Sequence, residues 1–208
     1  QTNEFDILSV SPESLIKVKN RKIYTAPIKG TRPRGKTSTE DNILKKELQT
    51  SIKDKAEHLM IVDLLRNDLG KICKINSISV KNLYKVQSFN TIHHMISNIK
   101  GELKDSISET DIIKALFPGG SITGAPKESA MSIIDELEQS MRRIYTGSAG
   151  YIKSNGDMFF NICIRTLLKI GSEYEYEYGV GGGIVWDSIA MEEWNEAHQK
   201  SKILDPLL

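Results

Sequence analysis

The sequence lacks the features that would indicate a secreted, membrane-bound or nucleic-acid-binding protein. It has only two cysteines, Cys73 and Cys163, and they fit no zinc or paired-thiol spacing, so we expect reduced core residues. No apolar run approaches the roughly 18 residues of a membrane helix, and no signal-peptide pattern opens the chain. The net charge of +1 is too small to steer a polyanion. We therefore expect a soluble, cytoplasmic protein with no membrane or nucleic-acid partner.

The spacing of apolar residues predicts strands in groups that helices separate. The predicted strands are 4–10, 14–18, 21–28, 77–88, 91–99, 145–153, 157–170 and 173–180. The predicted helices are 38–70, as one helix or two abutting ones, 108–116, a helix from Pro126, and 188–204 capped by Asp187 or Ser188. Residues 29–38 and 117–125 read as loops. This order favours an α+β layered sandwich.

The first strand has no evident partner nearby in the sequence. Residues 4–10 read as a strand that would need partners earlier than the chain supplies them, and Gln1 is not an initiator. We therefore expect a piece of a longer protein.

Lys29 follows an apolar, strand-like run and directly precedes Gly30. A lysine becomes a nucleophile when it loses its proton, and burial in apolar surroundings favours the neutral amine. The alternative is a solvated lysine in a turn. The basic stretch 29–36 contains no aromatic residue, which favours a solvated loop over a nucleic-acid contact.

Two carboxylates and an amine share one face of the predicted last helix. At 100° per residue, Glu193, Glu196 and Lys200 lie within about 60° of one another. Apolar residues on the same side, including Trp194 and Ile203, suggest that this face borders the interior. Paired carboxylates there indicate a hard cation such as Mg²⁺ with an anionic ligand. A solvated Glu196–Lys200 ion pair is the alternative.

Three further charged or titratable positions lie in apolar surroundings. Glu57 precedes an apolar helical run, and it either pairs with Arg66 or a lysine or binds metal. His93 and His94 are adjacent on a predicted strand, so only one can face a given side. Arg165 interrupts a predicted apolar strand, where a guanidinium needs a carboxylate, such as that of a substrate.

Two glycine-rich segments lack the spacing of nucleotide-binding loops. After Gly124, Ala125 and Pro126 intervene before Lys127, so the phosphate-loop pattern fails, although a turn that feeds a helix N-terminus suits an anion. Residues 179–183 predict either close backbone approach to a ligand or a bulge.

Five ordered motifs resemble those of the chorismate-binding enzymes, a family that includes anthranilate, aminodeoxychorismate, isochorismate and salicylate synthases. The motifs are Ser11-Pro12-Glu13, Pro27-Ile28-Lys29-Gly30-Thr31, Ala56 through Asp68, Pro118 through Lys127, and Gly181-Gly182-Gly183-Ile184-Val185. They cover nearly the whole chain. The resemblance implies a chorismate-binding catalytic domain over 1–208, incomplete at its N-terminus. It also implies a two-layered β-sheet sandwich with helices packed outside and a Mg²⁺-dependent site.

Matching motifs also imply individual roles. Glu13 is implied as the acid that protonates the departing C4 hydroxyl of chorismate, with His94 near the reacting ring. Glu57 and Glu196 are implied as Mg²⁺ ligands, with Glu193 binding directly or through water. The implied substrate-binding residues are Thr31, Ser121, Tyr145, Arg165, Gly181, Gly182, Gly183 and Lys200.

Lys29 resembles the aminodeoxychorismate branch of the family, whereas anthranilate synthases usually have alanine there. In that branch the lysine is proposed to add at C2 as the C4 hydroxyl leaves, and ammonia then attacks C4 and expels it. We therefore expect Mg²⁺-dependent amination of chorismate to 4-amino-4-deoxychorismate, for p-aminobenzoate and folate synthesis. A glutamine amidotransferase subunit would supply the ammonia. The alternatives are anthranilate synthase, an isochorismate or salicylate synthase, and an inactive structural fragment.

Overall fold

The computed structural model describes residues 4–171 and 176–207, without the side chains of 205–207. Its strands are β1 Phe5–Ser9, β2 Ser14–Lys19, β3 Lys22–Thr25, β4 Ile28–Pro33, β5 Ser79–Ser88, β6 Ile92–Glu102, β7 Ser148–Ile152, β8 Met158–Ile162, β9 Thr166–Ile170 and β10 Tyr176–Tyr178. Its helices are α1 Ser38–Thr50, α2 Ile52–Ile72, α3 Glu109–Leu116, α4 Gly120–Thr123, α5 Lys127–Leu137 and α6 Ala190–Ser201, followed by a 3-10 helix over Lys202–Leu207.

The described strands form two antiparallel sheets. Seven strands form one sheet with the order β4-β6-β3-β2-β8-β7, in which β5 also pairs with β6, and the other has the order β1-β9-β10. The long strand β6 pairs with β3 near one end and with β4 near the other. The predicted α+β fold with antiparallel sheets and helices is confirmed.

The hydrophobic core lies between the seven-stranded sheet and helices α2 and α3. Its buried members come mainly from β2, β3, β6, β8 and the two helices: Leu15, Ile16, Val18, Ile23, Ile61, Val62, Leu65, Leu69, Ile72, Cys73, Ile99, Leu103, Ile112, Leu116, Met158 and Ile162. Cys73 and Cys163 are free and buried, as predicted. The core therefore holds α2, which carries Glu57, against the sheet.

The expectation that β1 has no partner within the chain is wrong. β1 pairs antiparallel with β9, with Phe5 opposite Ile170 and Ser9 opposite Thr166. The hydroxyls of Ser9 and Thr166 also share a hydrogen bond of 2.8 Å. The partner was missed because it comes from the far end of the sequence.

The predicted helix over 38–70 is two abutting helices. Thr37 caps α1, since its side chain accepts a hydrogen bond from the backbone N–H of Glu40. Ser51 separates the helices and caps α2 by accepting from the N–H of Asp54. This break places the first turn of α2 beside β4.

Two strand predictions need correction. The predicted strand 157–170 is divided into β8 and β9, which belong to different sheets, and Arg165 lies between them with a φ of 49°. Residues 29–33 are not a loop but part of β4. Of the predicted strand 173–180, the structure describes Tyr176–Tyr178 as β10, and residues 173–175 lie outside the described part.

No helix in the described part of the chain has the length and apolar character needed to cross a membrane.

Candidate functional site

A cleft of about 730 Å³ lies between β4, the first turns of α2 and helix α6. It brings together eight of the predicted site residues: Lys29, Thr31, Glu57, Arg165, Gly183, Glu193, Glu196 and Lys200. Its lining also includes residues that were not predicted as site residues: Gly30, Arg32, Pro33, Ser51, Lys53, Asp54, Ile92, Gln199 and Ile203. Residues from distant parts of the chain thus converge on one concave surface.

Lys29 lies within β4 and next to a β-bulge, not at the end of a strand. The pairing register of β4 with β6 shifts between Lys29 and Thr31, and Gly30 has a φ of 77°. A β-bulge changes the direction of the side chains beside it. The bulge therefore explains how consecutive residues of one strand can all line the cleft.

The amine of Lys29 points toward the glycine segment. A Cβ built on Gly183 would stand 3.2 Å from Lys29 Nζ. The positive charge of Lys29 also acts on two buried groups, because it lowers the pKa of both Glu13 and His58 as a secondary effect. Lys29 is therefore within electrostatic range of a carboxyl and an imidazole.

Glu13 directly precedes the first residue of β2. Burial raises the pKa of Glu13, while a hydrogen bond from the Ser121 hydroxyl and the charge of Lys29 oppose that rise. Burial favours the protonated carboxyl because the charged form loses its hydration. Glu13 and Ser121 do not line the cleft, although Ser121 and the charge of Lys29 both lower the pKa of Glu13. The predicted acid is thus within electrostatic range of Lys29.

The two histidines face different partners, as their adjacent places on a strand predict. His94 Nδ1 lies 2.9 Å from Thr31 Oγ1, and its Nε2 is buried without a hydrogen-bond partner. Burial lowers the pKa of His94, the backbone of Gly30 opposes this, and the charge of Arg165 lowers it further. A neutral imidazole beside the cleft can accept or donate a proton. His93 instead contacts Asp41, at 3.0 Å.

Helix α6 supplies two carboxylates and an amine to the cleft wall. Lys200 Nζ donates to Glu196 Oε1 at 2.6 Å and to the carbonyl oxygen of Gly181 at 2.9 Å. Glu193 Oε1 accepts from the Ser188 hydroxyl at 2.6 Å. The solvated Glu196–Lys200 ion pair considered from the sequence is therefore present, and both residues, although exposed, line the cleft.

The predicted orientation of α6 is partly wrong. Within the described chain α6 has no buried residue, and Trp194, placed on the interior side, is 62% exposed. Gln199 of the same helix also lines the cleft. The helix is capped by neither Asp187 nor Ser188, since Ile189 occupies the N-cap position without a side-chain bond. Helical spacing identified which residues share a face but not what that face contacts.

The glycine segment makes close contacts with side chains. A Cβ on Gly181 would lie 2.7 Å from the Tyr145 hydroxyl, and one on Gly182 would lie 3.2 Å from Glu193 Oε2. Burial raises the pKa of Tyr145. These contacts are with side chains of the same chain, so the choice between close backbone approach to a ligand and a bulge stays a prediction. Tyr145 touches the segment, although it does not line the cleft.

Arg165 and Glu57 both reach the cleft. Arg165 was predicted within a strand but lies in the connection between two strands, where the chain leaves one sheet for the other. Arg66, considered as a partner of Glu57, pairs instead with Asp63 at 2.8 Å. Glu57 thus lines the cleft without that partner.

An ion pair beside the cleft was missed. Arg32 Nη2 donates to Asp54 Oδ2 at 3.0 Å, and Arg32 Nε donates to Glu47 Oε1 at 2.8 Å. Arg34 similarly pairs with Asp41 at 2.6 Å. Two of the four basic residues in the stretch 29–36, Arg32 and Arg34, are therefore paired with acidic residues of α1 and α2. Asp54 lies three residues before Glu57 on α2, so helical spacing places the two side chains on one face. This spacing could have identified Asp54 as a residue of the cleft.

The donor set of the cleft suits a hard cation. Glu57, Glu193 and Glu196 provide only carboxylate oxygens, which Mg²⁺ prefers. Among residues 4–171 and 176–207, however, no three acidic, histidine or cysteine side chains lie close enough to hold an ion together as they stand. The chemistry of the ligands fits Mg²⁺, and Glu196 would exchange its contact with Lys200 for the metal.

The charges of the cleft suit an anionic ligand. Its lining has four carboxylates and five cations, namely Lys29, Arg32, Lys53, Arg165 and Lys200. With a divalent cation bound, the cleft would be strongly positive. A small molecule with more than one carboxylate is the kind of ligand that this arrangement favours.

Known proteins share both the sequence and the fold. The family model described as "chorismate binding enzyme" matches residues 1–205. The chain is 44% identical over 201 residues to aminodeoxychorismate synthase component 1 of Bacillus subtilis, covering 97% of this chain and 42% of that protein. It is 43% identical over 204 residues to anthranilate synthase component 1 of Aquifex aeolicus, covering 97% and 41%.

A solved structure gives the same result for the fold. Anthranilate synthase component I from Streptococcus pneumoniae superposes with a TM-score of 0.84 at 39% identity, over 96% of this chain and 43% of that one. The chain thus spans about two fifths of the length of these relatives. Since the family model covers almost the whole sequence, the chain belongs to the family of chorismate-binding enzymes.

Proposed function

We propose that the protein containing this chain aminates chorismate to 4-amino-4-deoxychorismate, which serves p-aminobenzoate and folate synthesis. The observation that carries the proposal is the position of Lys29 in the cleft, with its amine beside Gly183 and its charge acting on Glu13. A lysine so placed supplies a nucleophile next to an acid.

The cleft would hold the two carboxylates of chorismate. Arg165 and Lys200 supply positive charge, and the backbone of residues 181–183 supplies N–H groups that no side chain shields. Thr31 and Tyr145 add hydroxyl groups at the edges of the site. Guanidinium and ammonium groups bind carboxylates more strongly than neutral donors do.

The proposed reaction uses Glu13 as the acid. Lys29 first releases a proton to solvent. Protonated Glu13 then gives its proton to the C4 hydroxyl, which leaves as water while the lone pair of the Lys29 amine forms a bond to C2 and the two ring double bonds shift. Ammonia then attacks C4, and the C2–N bond to Lys29 breaks with its electron pair returning to the lysine. The proton released from the new C4 ammonium group restores Glu13. His94, whose Nε2 has no hydrogen-bond partner, would hydrogen-bond the ring substituents.

Glu57, Glu193 and Glu196 would hold Mg²⁺. When bound, the ion would neutralise a substrate carboxylate and so permit an anion to approach three glutamates. The carboxylate ligand set supports this proposal.

A second subunit would supply the ammonia. The relatives from Bacillus subtilis and Aquifex aeolicus are both named as component 1, which implies a further component. A glutamine amidotransferase is the class of protein that fits, because ammonia is the nitrogen donor in the proposed reaction.

The test is to incubate the complete protein with chorismate, Mg²⁺ and ammonium and to identify the product by mass spectrometry. Aminodeoxychorismate is expected. Lys29→Ala should slow its formation by at least about 100-fold, comparable to the lower limit for loss of a general acid. Lys53→Ala is the matched control, since Lys53 is an exposed lysine on the rim of the same cleft. An unchanged rate in Lys29→Ala would remove Lys29 from covalent chemistry.

Anthranilate synthase is the second candidate. The observation that favours it is the nearly equal identity to the Aquifex aeolicus relative, 43% against 44%. Anthranilate as the product would establish this candidate, and isochorismate or salicylate would indicate the branches that transfer no nitrogen. Failure of Mg²⁺ plus chorismate to stabilise the isolated chain would favour an inactive structural fragment.

A further inference from the structure

Arg32 joins three elements beside the β-bulge of β4. Its Nε donates to Glu47 Oε1 of α1 at 2.8 Å, and its Nη2 donates to Asp54 Oδ2 of α2 at 3.0 Å. Its Nη1 donates to the backbone carbonyl oxygen of Thr31, within β4 itself, at 2.9 Å. A planar guanidinium can make several such bonds in fixed directions at once. All three nitrogens of Arg32 are therefore engaged by the protein.

Asp54 lies against the bulge as well as against Arg32. A Cβ on Gly30 would stand 2.9 Å from Asp54 Oδ1 and 2.8 Å from Cδ1 of Leu48 on α1. Asp54 is itself held in the first turn of α2, where its backbone N–H donates to the Ser51 hydroxyl at 3.2 Å. The side chains of Arg32 and Asp54 are only 24% and 17% exposed, so their attraction is screened less than that of an open surface pair. Helices α1 and α2 thus both pack against the bulge at Gly30.

The bulge determines how Lys29 enters the cleft. Lys29 directly precedes Gly30, whose φ is 77°, and the pairing register with β6 shifts at this point. Because a β-bulge re-aims the side chains beside it, the backbone conformation at Gly30 sets the direction of the Lys29 side chain. Contacts that fix the bulge therefore also fix where the Lys29 amine lies.

We propose that Arg32 and Asp54 are positioning residues, which hold the bulge at Gly30 and so keep the amine of Lys29 directed into the cleft. The inference rests on the proposed function in one respect, the role of Lys29 as the nucleophile. It assigns Arg32 to the support of Lys29 and not to a substrate carboxylate, although Arg32 lines the cleft. Arg32 and Asp54 act through the backbone of β4 and take no part in bond making.

Two measurements separate positioning from substrate binding and from stability. Loss of a group that binds chorismate in the ground state raises KM, whereas misplacement of a nucleophile lowers kcat and leaves KM nearly unchanged. The second measurement is the rate at which acetic anhydride, a small neutral reagent, acetylates Lys29 in the substrate-free protein. Peptide mass spectrometry gives this rate relative to that of Lys19, an exposed lysine on β2.

The experiment compares variants of the complete protein. Arg32→Lys keeps a positive charge beside Asp54, but one amine cannot replace three bonds in fixed directions. Asp54→Asn weakens the same contact from the side of α2. Each variant should lower kcat by about 10-fold and change KM by less than about 2-fold. Each should also raise the acetylation rate of Lys29, because the half-buried amine then spends more time in solvent.

The double variant tests whether the two residues act through one contact. If they do, Arg32→Lys with Asp54→Asn should lower kcat by no more than about 10-fold, as either change does alone. Losses of kcat that multiply in the double variant would contradict a shared contact.

Arg34→Lys is the matched control, because Arg34 is a paired arginine in the same basic stretch. It donates to Asp41 at 2.6 Å and to the carbonyl oxygen of Phe89 at 2.6 Å, but it is not among the described residues that line the cleft. Arg34→Lys should leave kcat, KM and the acetylation rate of Lys29 as they are in the native protein.

A raised KM with native kcat in Arg32→Lys would overturn the inference, since Arg32 would then bind substrate. Variants that melt at a lower temperature but keep the native acetylation rate of Lys29 would also overturn it, because the pair would then serve stability alone. Acetylation is measured without substrate. An unchanged rate of turnover in Lys29→Ala would therefore reject the proposed function without altering the test of how Lys29 is held.

Discussion

The amine nitrogen of Lys29 lies 3.2 Å from the place that a Cβ atom of Gly183 would occupy. This distance is shorter than ordinary van der Waals contact. Glycine at position 183 therefore leaves room for the Lys29 amine that a larger residue would reduce.

We predict that Gly183→Ala displaces the Lys29 amine by a few tenths of an ångström and lowers kcat/KM by roughly 10-fold, because reacting groups must be placed to within a fraction of an ångström. Gly70→Ala is the control, since a Cβ there would meet nothing within 4 Å. Alanine in α2 should slightly stabilise the protein and leave turnover unchanged. Equal activities of the two variants would contradict a tight fit at Gly183.

The second prediction concerns Glu13, whose pKa burial raises. If it acts as an acid, the reaction needs its protonated form and slows as pH rises through that raised pKa. Glu13→Gln should lower kcat by about 10²–10⁴-fold and abolish the alkaline limb. Glu138→Gln is a suitable control, because Glu138 pairs with Arg142 away from the cleft. Persistence of the alkaline limb in Glu13→Gln would assign that limb to another group.

The sequence predicted which residues of α6 lie together better than it predicted their surroundings. Residue type and helical spacing placed Glu193, Glu196 and Lys200 together, and all three line the cleft. Spacing could not show that Trp194 is exposed, because it specifies which residues share a face but not what lies against that face.

The local sequence pattern also could not predict the long-range strand pairing or the uncommon backbone conformations. The partner of β1 is β9, more than 150 residues away, and no local periodicity indicates such a pairing. The apolar residues on both sides of Arg165 suggested one strand, whereas its positive φ marks the point where the chain changes sheets. An uncommon conformation of a residue other than glycine has little local signature.

The third prediction is that Glu196→Gln raises the Mg²⁺ concentration needed for half-maximal activity by about 10-fold or more, because an amide is a weaker ligand than a carboxylate for a hard cation. Removing divalent ions with a chelator should abolish turnover, and added Mg²⁺ should restore it. Glu192→Gln provides the control, because Glu192 lies on the first turn of the same helix but does not line the cleft. The measurement is a Mg²⁺ titration of the initial rate. Identical titrations would show that Glu196 serves only its ion pair with Lys200.

The fourth prediction concerns stability and His58, which is fully buried and shares a hydrogen bond of 2.6 Å with Ser97. Burial, together with the charge of Lys29, lowers the pKa of His58 to about 4. In the unfolded chain the pKa is near 6.5, so the unfolded state binds the proton first as pH falls. His58 therefore contributes its full stabilisation above about pH 6.5 and loses it progressively down to about pH 4.

Over that window the loss amounts to about 3 kcal/mol. His58→Gln should remove most of this loss. The measurement is the free energy of unfolding by urea at about pH 7 and about pH 5, where the native protein should lose more stability between the two conditions than the variant does. His198→Gln, at an exposed position on α6, should leave the difference as it is in the native protein. If the His58 variant lost as much unfolding free energy as the native protein between these pH values, the acid sensitivity would arise from other groups. Protonation of His58 would then not destabilise the fold.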